Sequence, residues 1–292
     1  MQRSATGLKT HWISAMKDEP LVSVLMTVYN REKYLAEAIE SALSSNYEHF
    51  ELIIVDDCSI DQSVAIARKY ESSDSRINVY VNENNLGDYL NRNKAASYAK
   101  GKYLKYLDAD DRIYYYGLEV MVNFTELFPE AGFGLGAYPE DSRAFPILLT
   151  PREIYLESFG GRVNHFDRAP GSGLIKKDVF DKMGGFSGKR MIGDYEFWFK
   201  VSRYYSMVKL PLDLYWNRIH SEQESKSDFA IKNYESLRKE VLIENLRHPD
   251  CPLSVSETEK ILQGMHIRER KEKFLKRLSK LNTMLNNMVG NE

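Results

Sequence analysis

The stretch YLKYLDADDRIYYY, residues 103–116, begins as an apolar, β-prone segment and runs directly into Asp108, Asp110 and Asp111. Carboxylates this close together repel one another when all are ionised, so the cluster favours partial protonation or a bound cation. Mg²⁺ and Mn²⁺ prefer oxygen ligands and are commonly held by one or two carboxylates together with substrate phosphates. The stretch therefore predicts a buried strand that carries a divalent-metal site at its carboxyl end.

Strand-like and helix-like segments alternate on the N-terminal side of this cluster. The strand-like runs are LVSVLMTV from Leu21, FELIIVDD from Phe50, INVYVN from Ile77 and KYLKYLDAD from Lys102, with helix-like runs between them. Runs of Val, Ile and Leu without strict alternation are typical of strands buried on both faces, and helical links are typical of parallel neighbours. The pattern predicts an α/β fold with a mostly parallel central sheet flanked by helices.

Polar residues follow each of these predicted strands, in the runs TVYN, DDCS, NENN and DADD. Because ligands bind at the carboxyl ends of parallel strands, the four loops are expected to meet at one rim of the sheet. We expect Asp57 and Asp110 to serve this site, and Asp61 and Asp111 to cap the helices that follow them. Neither a G-x-G-x-x-G after the first strand nor a G-x-x-x-x-G-K-[ST] is present, so a phosphate ligand here requires a metal for neutralisation.

Beyond this half, the sequence predicts a helix that ends near Pro129, further strands and helices, and extended chain as far as His220. From about Asp228 the composition shifts to long, charged helical stretches. The predicted organisation is a polar lead-in at 1–19, one α/β domain at 20–226 and a helical C-terminal extension at 227–292. Within the domain, we expect two halves, at about 20–111 and about 112–226.

Composition narrows the class of protein and its location. The formal net charge is −2, so no global positive field suggests nucleic-acid binding. Cys58 and Cys251 are the only cysteines, which fits a reducing compartment such as the cytoplasm. The N-terminal segment has no apolar core of the signal-peptide type, and no run approaches the ~20 apolar residues that span a bilayer.

The C-terminal extension carries an apolar seam with spacings of three, four or seven residues, formed by Ile267, Phe274, Leu278, Leu281, Leu285 and Met288. Such a seam is typical of a coiled coil or of a helix packed on its own domain. We expect packing or homodimerisation first, and peripheral contact with an anionic membrane second.

Four ordered motifs resemble the GT-A glycosyltransferases of family 2. They are VSVLMTVYNREKYLAEAIESAL, FELIIVDDCSIDQS, NLGDYLNRNKAASYAKGKYLKYLDADD and GDYEFWFKV, within residues 21 to about 222. The resemblance implies an inverting transferase that uses a nucleotide-diphospho-sugar and Mn²⁺ or Mg²⁺. It also implies a glycan or lipid-linked acceptor in polysaccharide or glycoconjugate synthesis. By the same resemblance, the half at about 20–111 would be the nucleotide-sugar half and that at about 112–226 the acceptor half.

The resemblance assigns roles to the rim residues. Thr27, at a position where proline is frequent, and Tyr29 would hold the nucleotide base, and Asp57 would accept the uracil N3 hydrogen, which implies UDP. Arg92 matches a position that helps to hold the nucleotide, although a solvated helix-face arginine is an equal alternative. Asp108 would lie near the ribose or sugar.

The metal and the base are assigned in the same way. Asp110 would ligate the metal between the phosphates. Asp111 would share either the metal-binding role of Asp110 or the ribose- or sugar-binding role of Asp108. His220 resembles a family histidine on a late loop that touches the metal. The family usually carries an acidic pair where Gly193 and Asp194 stand here, so Asp194 is the carboxylate that fits the general base. A pure helix-capping role is the alternative for Asp194, and Glu196 is the reserve candidate.

The acceptor end is less determined by sequence. The Gly-rich segment from His165 would face the acceptor, with Arg168 or Lys176 placed to meet an anionic one. A nucleotidyltransferase is the rival enzyme, although the loop TVYNREKY lacks the glycines that such an enzyme uses to hold a triphosphate. A non-catalytic GT-A-like binding or scaffolding protein is the rival of another class, since Gly193 breaks the acidic pair.

Overall fold

The structure, a computed structural model, describes residues 19–137, 143–160, 164–212, 214–265 and 267. Its strands are β1 (Val22–Val28), β2 (Phe50–Asp56), β3 (Ile77–Val81), β4 (Tyr103–Tyr106), β5 (Arg112–Ile113), β6 (Ala131–Ala137), β7 (Ile147–Leu149), β8 (Gly173–Lys176), β9 (Ser206–Pro211) and β10 (Tyr215–Trp216). Its helices are α1 (Leu35–Leu43), α2 (Ser63–Glu71), α3 (Asp88–Tyr98), α4 (Gly117–Glu126), α5 (Pro151–Gly160), α6 (Lys177–Lys182), α7 (Gly193–Ser202) and α8 (Asp228–Leu246).

Eight strands form one sheet in the order β3-β2-β1-β4-β8-β6-β9-β7. The first four pair in parallel, as the alternating strand and helix pattern predicts. β8 is antiparallel to both β4 and β6, and the short edge strand β7 is antiparallel to β9. The predicted fold class, an α/β fold with a mostly parallel central sheet flanked by helices, is therefore confirmed.

The central strands are buried on both faces. Leu25 of β1 belongs to an apolar cluster that includes residues of α3, α5 and α7, whereas Val24 and Met26 belong to a cluster with residues of α1, α2 and α4. Successive side chains of a strand point to opposite faces, so each strand supplies both clusters. This double burial explains why the strands read as near-continuous apolar runs.

Helix α8 packs on the α/β domain. Its Val241 and Leu246, together with Leu253 beyond it, are buried in the same apolar cluster as the core residues of α7. The predicted boundary near 226 stays a prediction, and this packing favours a domain that continues through α8 to about Leu253. A further helical stretch covers 255–265.

Two predicted segments lie outside the described residues: most of the lead-in at 1–19, and the apolar seam beyond Ile267. Homodimerisation through the seam and membrane contact thus stay predictions. Within the described part of the chain, no helix has both the length and the apolar composition needed to cross a bilayer.

The connection between α3 and β4 is a tight fit that seats β4 beside β1. The backbone N–H of Gly101 donates to Ser23 Oγ at 2.8 Å, and Ser23 Oγ donates to Glu51 at 2.6 Å. A Cβ on Gly101 would lie 2.6 Å from Ser23 N and 2.7 Å from Leu21 O, both backbone atoms of the neighbouring strand region. The position that delivers the DADD run to the rim therefore has no room for a side chain.

Gly101→Ala is expected to destabilise the protein by about 1–3 kcal/mol, because overpacking against backbone forces β4 to shift. Urea unfolding followed by circular dichroism measures the change. Gly160→Ala is the matched control, since a Cβ there meets nothing within 4 Å and replaces a helical glycine. Equal stability of the two variants would contradict the proposed fit.

Candidate active site

Two adjoining clefts lie along the carboxyl ends of the parallel strands. The first, the rim cleft, has a volume of about 740 Å³, and its lining includes six of the predicted site residues: Thr27, Tyr29, Asp57, Arg92, Asp108 and Asp110. The second, the helix cleft, has a volume of about 530 Å³ and is lined partly by α3, α7 and α8, with Asp194 in its wall. Asp88, Tyr89, Arg92 and Asp108 line both, so the two clefts meet along α3 and the DADD run.

The acidic cluster of the DADD run is assembled as the sequence predicts. One carboxylate oxygen from each of Asp108, Asp110 and Asp111 lies within 4.8 Å of the others. An all-oxygen, all-carboxylate set of this size is the chemistry that Mg²⁺ and Mn²⁺ prefer. The residues present therefore fit a hard divalent cation.

Asp110 is held by two cationic or potentially cationic side chains. His220 Nε2 and Arg31 Nε both lie 3.0 Å from Asp110 Oδ2. The predicted metal residues Asp110 and His220 are thus neighbours, although they are 110 positions apart in sequence. The sequence analysis did not identify Arg31 as a site residue, because nothing in the loop after β1 indicates that Arg31 pairs with Asp110, 79 positions away.

Asp111 does not cap a helix, so that prediction is wrong. Its carboxylate is buried and accepts bonds from Arg218 N and Asn217 Nδ2, each at 3.0 Å. Strand β5, and not a helix, begins at the next residue. Burial, with the charges of Asp108 and Asp110, raises the pKa of Asp111 to about 7. Asp111 therefore ties the segment that carries His220 to the rim.

Asp61 was predicted to cap the helix that follows it; its side chain does bond the start of α2, but it lies one position before the cap residue. Its Oδ1 accepts the N–H of Ser63, the first residue of α2, at 2.9 Å. Gln62 holds the cap position itself. Asp61 Oδ2 accepts the N–H of Glu32 at 3.0 Å, and this bond joins the loop after β1 to the loop after β2.

Arg92 is a buried arginine and not a solvated helix-face residue. Only 7% of it is exposed. Its Nε donates to Asp88 at 2.8 Å and its Nη1 lies 2.7 Å from Asp108. The guanidinium group also lies over the ring of Tyr106, 5.7 Å from the centroid. Arg92 therefore balances two carboxylates at the junction of the two clefts.

Asp57 is fixed by the loop that leads into α3. Its Oδ1 accepts bonds from Asn82 Nδ2 and Leu86 N, each at 2.8 Å, and its Oδ2 accepts Gly87 N at 2.9 Å. A carboxylate oxygen with one bound donor keeps a further acceptor site. Tyr29 is 49% exposed on the other side of the cleft, so its ring is free to stack on a flat group.

Asp194 is the second residue of α7, and Ile192 holds the cap position without a side-chain bond. The pure capping alternative therefore does not describe it. The carboxylate accepts Tyr195 N at 2.7 Å. Burial raises the pKa of Asp194 to about 6, which is close to the range in which a carboxylate serves as a general base at neutral pH.

The packing of a neighbouring side chain explains why position 193, just before Asp194, is a glycine. A Cβ on Gly193 would lie 2.7 Å from Cγ of Tyr89 and 2.8 Å from its Cδ2. The tyrosine ring therefore occupies the space that a side chain at 193 would need. Tyr89 was missed by sequence reasoning, because it looked like an ordinary residue in the first turn of α3.

Two reserve assignments are placed away from the clefts. Glu196 forms an ion pair with Lys189 at 2.6 Å, and Lys176 Nζ donates to the carbonyl of Pro129 at 2.5 Å. Neither lines the rim cleft or the helix cleft. Arg168 does line the helix cleft, and its carbonyl accepts the indole N–H of Trp198 at 2.7 Å.

A buried lysine contacts the turn that follows Ala169, a residue that lines both clefts. Lys105 of β4 is fully buried; its ammonium group donates to the carbonyl of Gly171 and lies 5.0 Å from the ring centroid of Tyr215. Burial lowers the pKa of Lys105 to about 7. The bond anchors the turn at 170–172, next to Ala169, which lines both clefts.

Comparison with known sequences places these features in a family. The sequence model described as Glycosyl transferase family 2 matches residues 23–186. TuaG of Bacillus subtilis (strain 168), whose name refers to teichuronic acid biosynthesis, is 44% identical over 94 residues, which are 32% of this chain and 37% of TuaG. Matches to two further glycosyltransferases span 42% and 33% of those proteins. The chain thus matches less than half the length of these relatives.

Solved structures share the fold. A structure of S. aureus TarS (residues 1–349) in complex with UDP-GlcNAc superposes with a TM-score of 0.63 at 22% identity, over 82% of this chain and 70% of that one. The mannosyltransferase PcManGT of Pyrobaculum calidifontis, in complex with GDP-Man and Mn²⁺, gives a TM-score of 0.57 at 16% identity, over 82% and 69%.

The family match covers the strands, the rim loops and the whole acidic cluster. It extends over more than half of the 292 residues and includes eight of the ten described strands in full or in part. The chain belongs to glycosyltransferase family 2.

Proposed function

We propose that this family 2 member transfers a sugar from a UDP-sugar to an acceptor hydroxyl in glycan synthesis, with inversion at the anomeric carbon and with a divalent metal. The observation that carries the proposal is the meeting of the two clefts. Asp57, Asp108 and Asp110 line the rim cleft, Asp194 lines the helix cleft, and Asp108 lines both.

The donor is proposed to bind along the rim cleft. Tyr29 would stack on the base, Thr27 would contact it, and the anchored carboxylate of Asp57 would accept the uracil N3 hydrogen. TarS, which has the same fold, was solved with UDP and with UDP-GlcNAc, which supports the choice of donor class. Asp108, oriented by Arg92, would face the ribose or the sugar.

The metal is proposed to bind at Asp110, with His220 beside it and Asp108 or Asp111 as further ligands. A divalent cation there would supply Lewis-acid stabilisation of the diphosphate leaving group. Arg31 and His220 already bring positive or polarisable groups to Asp110, so the chain's own side chains contribute to the same charge balance. The Mn²⁺ in the PcManGT complex supports a metal in this fold.

Asp194 is proposed as the general base. Its carboxylate lines the helix cleft together with Asp108, and the acceptor is proposed to approach the sugar from this cleft. It would take the proton of the attacking hydroxyl, and the single displacement would invert the anomeric centre. Glu196 is tied to Lys189 and stays a reserve.

The acceptor is proposed to be an uncharged glycan hydroxyl, free or lipid-linked. Six carboxylates but only two guanidinium groups line the helix cleft: Asp88, Asp108, Asp167, Asp194, Glu224 and Glu235 against Arg92 and Arg168. Arg92 pairs with Asp88 and Asp108, and two arginines outside the lining, Arg238 and Arg190, pair with Asp167 and Glu224. Six carboxylates against four arginines still leave an excess of negative charge. An acceptor that bears carboxylate or phosphate groups would meet repulsion there, so the earlier expectation of an anionic acceptor is not favoured.

UDP is expected to bind to the wild-type protein in Mn²⁺ or Mg²⁺ and to lose most of its affinity in EDTA. Asp110→Asn should weaken the metal-dependent part of binding about tenfold or more while the fold is kept, because it removes a charged ligand and leaves the shape of the side chain. Isothermal titration calorimetry measures both effects. Equal binding in EDTA, or much tighter binding of GDP than of UDP, would overturn the donor assignment.

Asp194→Asn is expected to reduce turnover by about two to four orders of magnitude, the usual contribution of general-base catalysis, with donor affinity nearly unchanged. The wild-type rate should fall as the pH drops through about 6, the pKa of Asp194. Release of UDP in the presence of donor and acceptor gives the rate. Wild-type turnover in the variant would exclude Asp194 as the base and direct attention to Glu196.

Neutral acceptor glycosides are expected to react faster than their uronic acid analogues by roughly tenfold, because like charges within a few ångströms cost about 1 kcal/mol or more. Glu235→Gln, which removes one carboxylate from the α8 side of the cleft, should narrow this ratio. The assay measures UDP release with matched acceptor pairs at low salt. An anionic acceptor that reacts faster than its neutral analogue would contradict the proposed selectivity.

A further inference from the structure

An ion pair between Arg190 and Glu224 joins two separate segments of the chain at the rim cleft. Arg190 Nε donates to Glu224 Oε1 at 2.7 Å, and Arg190 Nη2 lies 2.6 Å from the same oxygen. Both residues line the rim cleft, and Glu224 lines the helix cleft as well. The roles proposed above for the donor, the metal and the base leave this pair without a function.

The pair lies where the transferred sugar has to lie. In the proposed mechanism the diphosphate sits at Asp110 in the rim cleft, and the base, Asp194, lines the helix cleft. The sugar between them therefore occupies the junction of the two clefts. Glu224 is one of the residues that line this junction, and its partner Arg190 lines the rim side of it.

The other charged groups at the junction are already engaged with one another. Asp88 and Asp108 both pair with Arg92, whose side chain is 8% exposed. The side chains of Arg190 and Glu224 are instead 57% and 47% exposed, so a ligand in the cleft can reach them.

The Glu224 carboxylate also keeps hydrogen-bonding capacity. Among the described residues, the bonds that it accepts, from Arg190 and from Ser227 Oγ, end on Oε1. Oε2 therefore retains its acceptor sites, and the guanidinium group retains donors beyond the two that face Glu224. A carboxylate beside a guanidinium group offers acceptors and donors side by side, which matches sugar hydroxyls, since each of these both donates and accepts.

Contacts with α8 hold the pair in place. The guanidinium carbon of Arg190 lies over the ring of Phe229, in the first turn of α8, 4.6 Å from the centroid. Glu224 begins a short 3-10 turn, and Ser227, directly after that turn, caps α8. Groups that are already ordered lose less conformational freedom when they bind a ligand.

We propose that the Arg190–Glu224 pair recognises the sugar of the donor: Glu224 accepts hydrogen bonds from sugar hydroxyls, and Arg190 donates to a sugar oxygen. The inference rests on the proposed function, because it uses the donor and base positions assigned there. It specifies a neutral hexose as the transferred sugar. Asp88, Asp108 and Glu224 outnumber Arg92 and Arg190 at the junction, so a sugar carboxylate would add to an excess of negative charge.

Glu224→Gln keeps the shape of the side chain and removes its charge. Free UDP has no sugar, so the variant should bind UDP within about twofold of the wild type. Its affinity for UDP-glucose, UDP-galactose or UDP-GlcNAc, whichever the wild type binds most tightly, should fall roughly tenfold, because a charge-assisted hydrogen bond is lost. Calorimetry in Mn²⁺ measures both. An unchanged affinity for the UDP-hexose, or an equal loss for UDP, would overturn the proposal.

UDP-glucuronic acid tests the choice of a neutral sugar. The wild type should bind it at least fivefold more weakly than UDP-glucose, and Glu224→Gln should narrow this ratio because one of the repelling charges is gone. Tighter binding of UDP-glucuronic acid than of UDP-glucose by the wild type would contradict the proposed selectivity.

Glu222→Gln is the matched control. Glu222 lies two positions from Glu224, pairs with Lys33 at 2.8 Å, is 49% exposed in its side chain and lines neither cleft. The control should bind UDP and the UDP-hexose as the wild type does. If it weakens the UDP-hexose as much as Glu224→Gln does, the effect comes from the charge of the loop, and the recognition role is rejected.

UDP binding by the wild type separates this inference from the proposed function. Absence of metal-dependent UDP binding rejects the donor assignment and the inference with it. Metal-dependent UDP binding, together with equal binding of the UDP-hexose by the wild type and by Glu224→Gln, rejects the recognition role alone.

Discussion

The repulsion among the carboxylates at the end of β4 is the constraint on which the site depends. Asp108, Asp110 and Asp111 lie within 4.8 Å of one another, and each is balanced by a different part of the chain. Asp108 meets Arg92 of α3, Asp110 meets Arg31 of the loop after β1, and Asp111 meets the backbone of Arg218. Because each partner comes from a separate element, charge balance at one strand end also sets the positions of the surrounding loops.

The sequence predicts the parallel half well because its signals are local. Each strand from β1 to β4 is a short apolar run followed at once by polar residues, and each helix between them has its own apolar face. Buried Leu35, Ala38, Ile39 and Ala42 of α1 show this directly. Such patterns need no knowledge of distant residues, so both the elements and the rim could be predicted from them.

The pairings inside the site could not be predicted in the same way. Arg31 and Asp110 are 79 positions apart, and Arg218 and Asp111 are 107 apart, so no periodicity links them. Asp111 was expected to cap a helix because aspartates often do so, but here burial and long-range donors decide its role. Tyr89 and Gly193 illustrate the same limit: the missing acid was visible in the sequence, whereas the ring that fills its space was not.

At Asp194, the proposed base, burial of a carboxylate works against the stability of the fold at neutral pH. The pKa of Asp194 in the folded protein, about 6, lies above the ordinary value of 3.8, so the folded state binds the proton more tightly than the unfolded chain does. The stabilisation from this group is therefore present in full below about pH 4 and is lost as the pH rises through about 6. At neutral pH the carboxylate is ionised in a place where burial disfavours the charge, which is the state that a general base requires. The Tyr195 N–H, which donates to the carboxylate at 2.7 Å, offsets part of that cost, and the Tyr89 hydroxyl and the charge of Arg92 also lower the pKa.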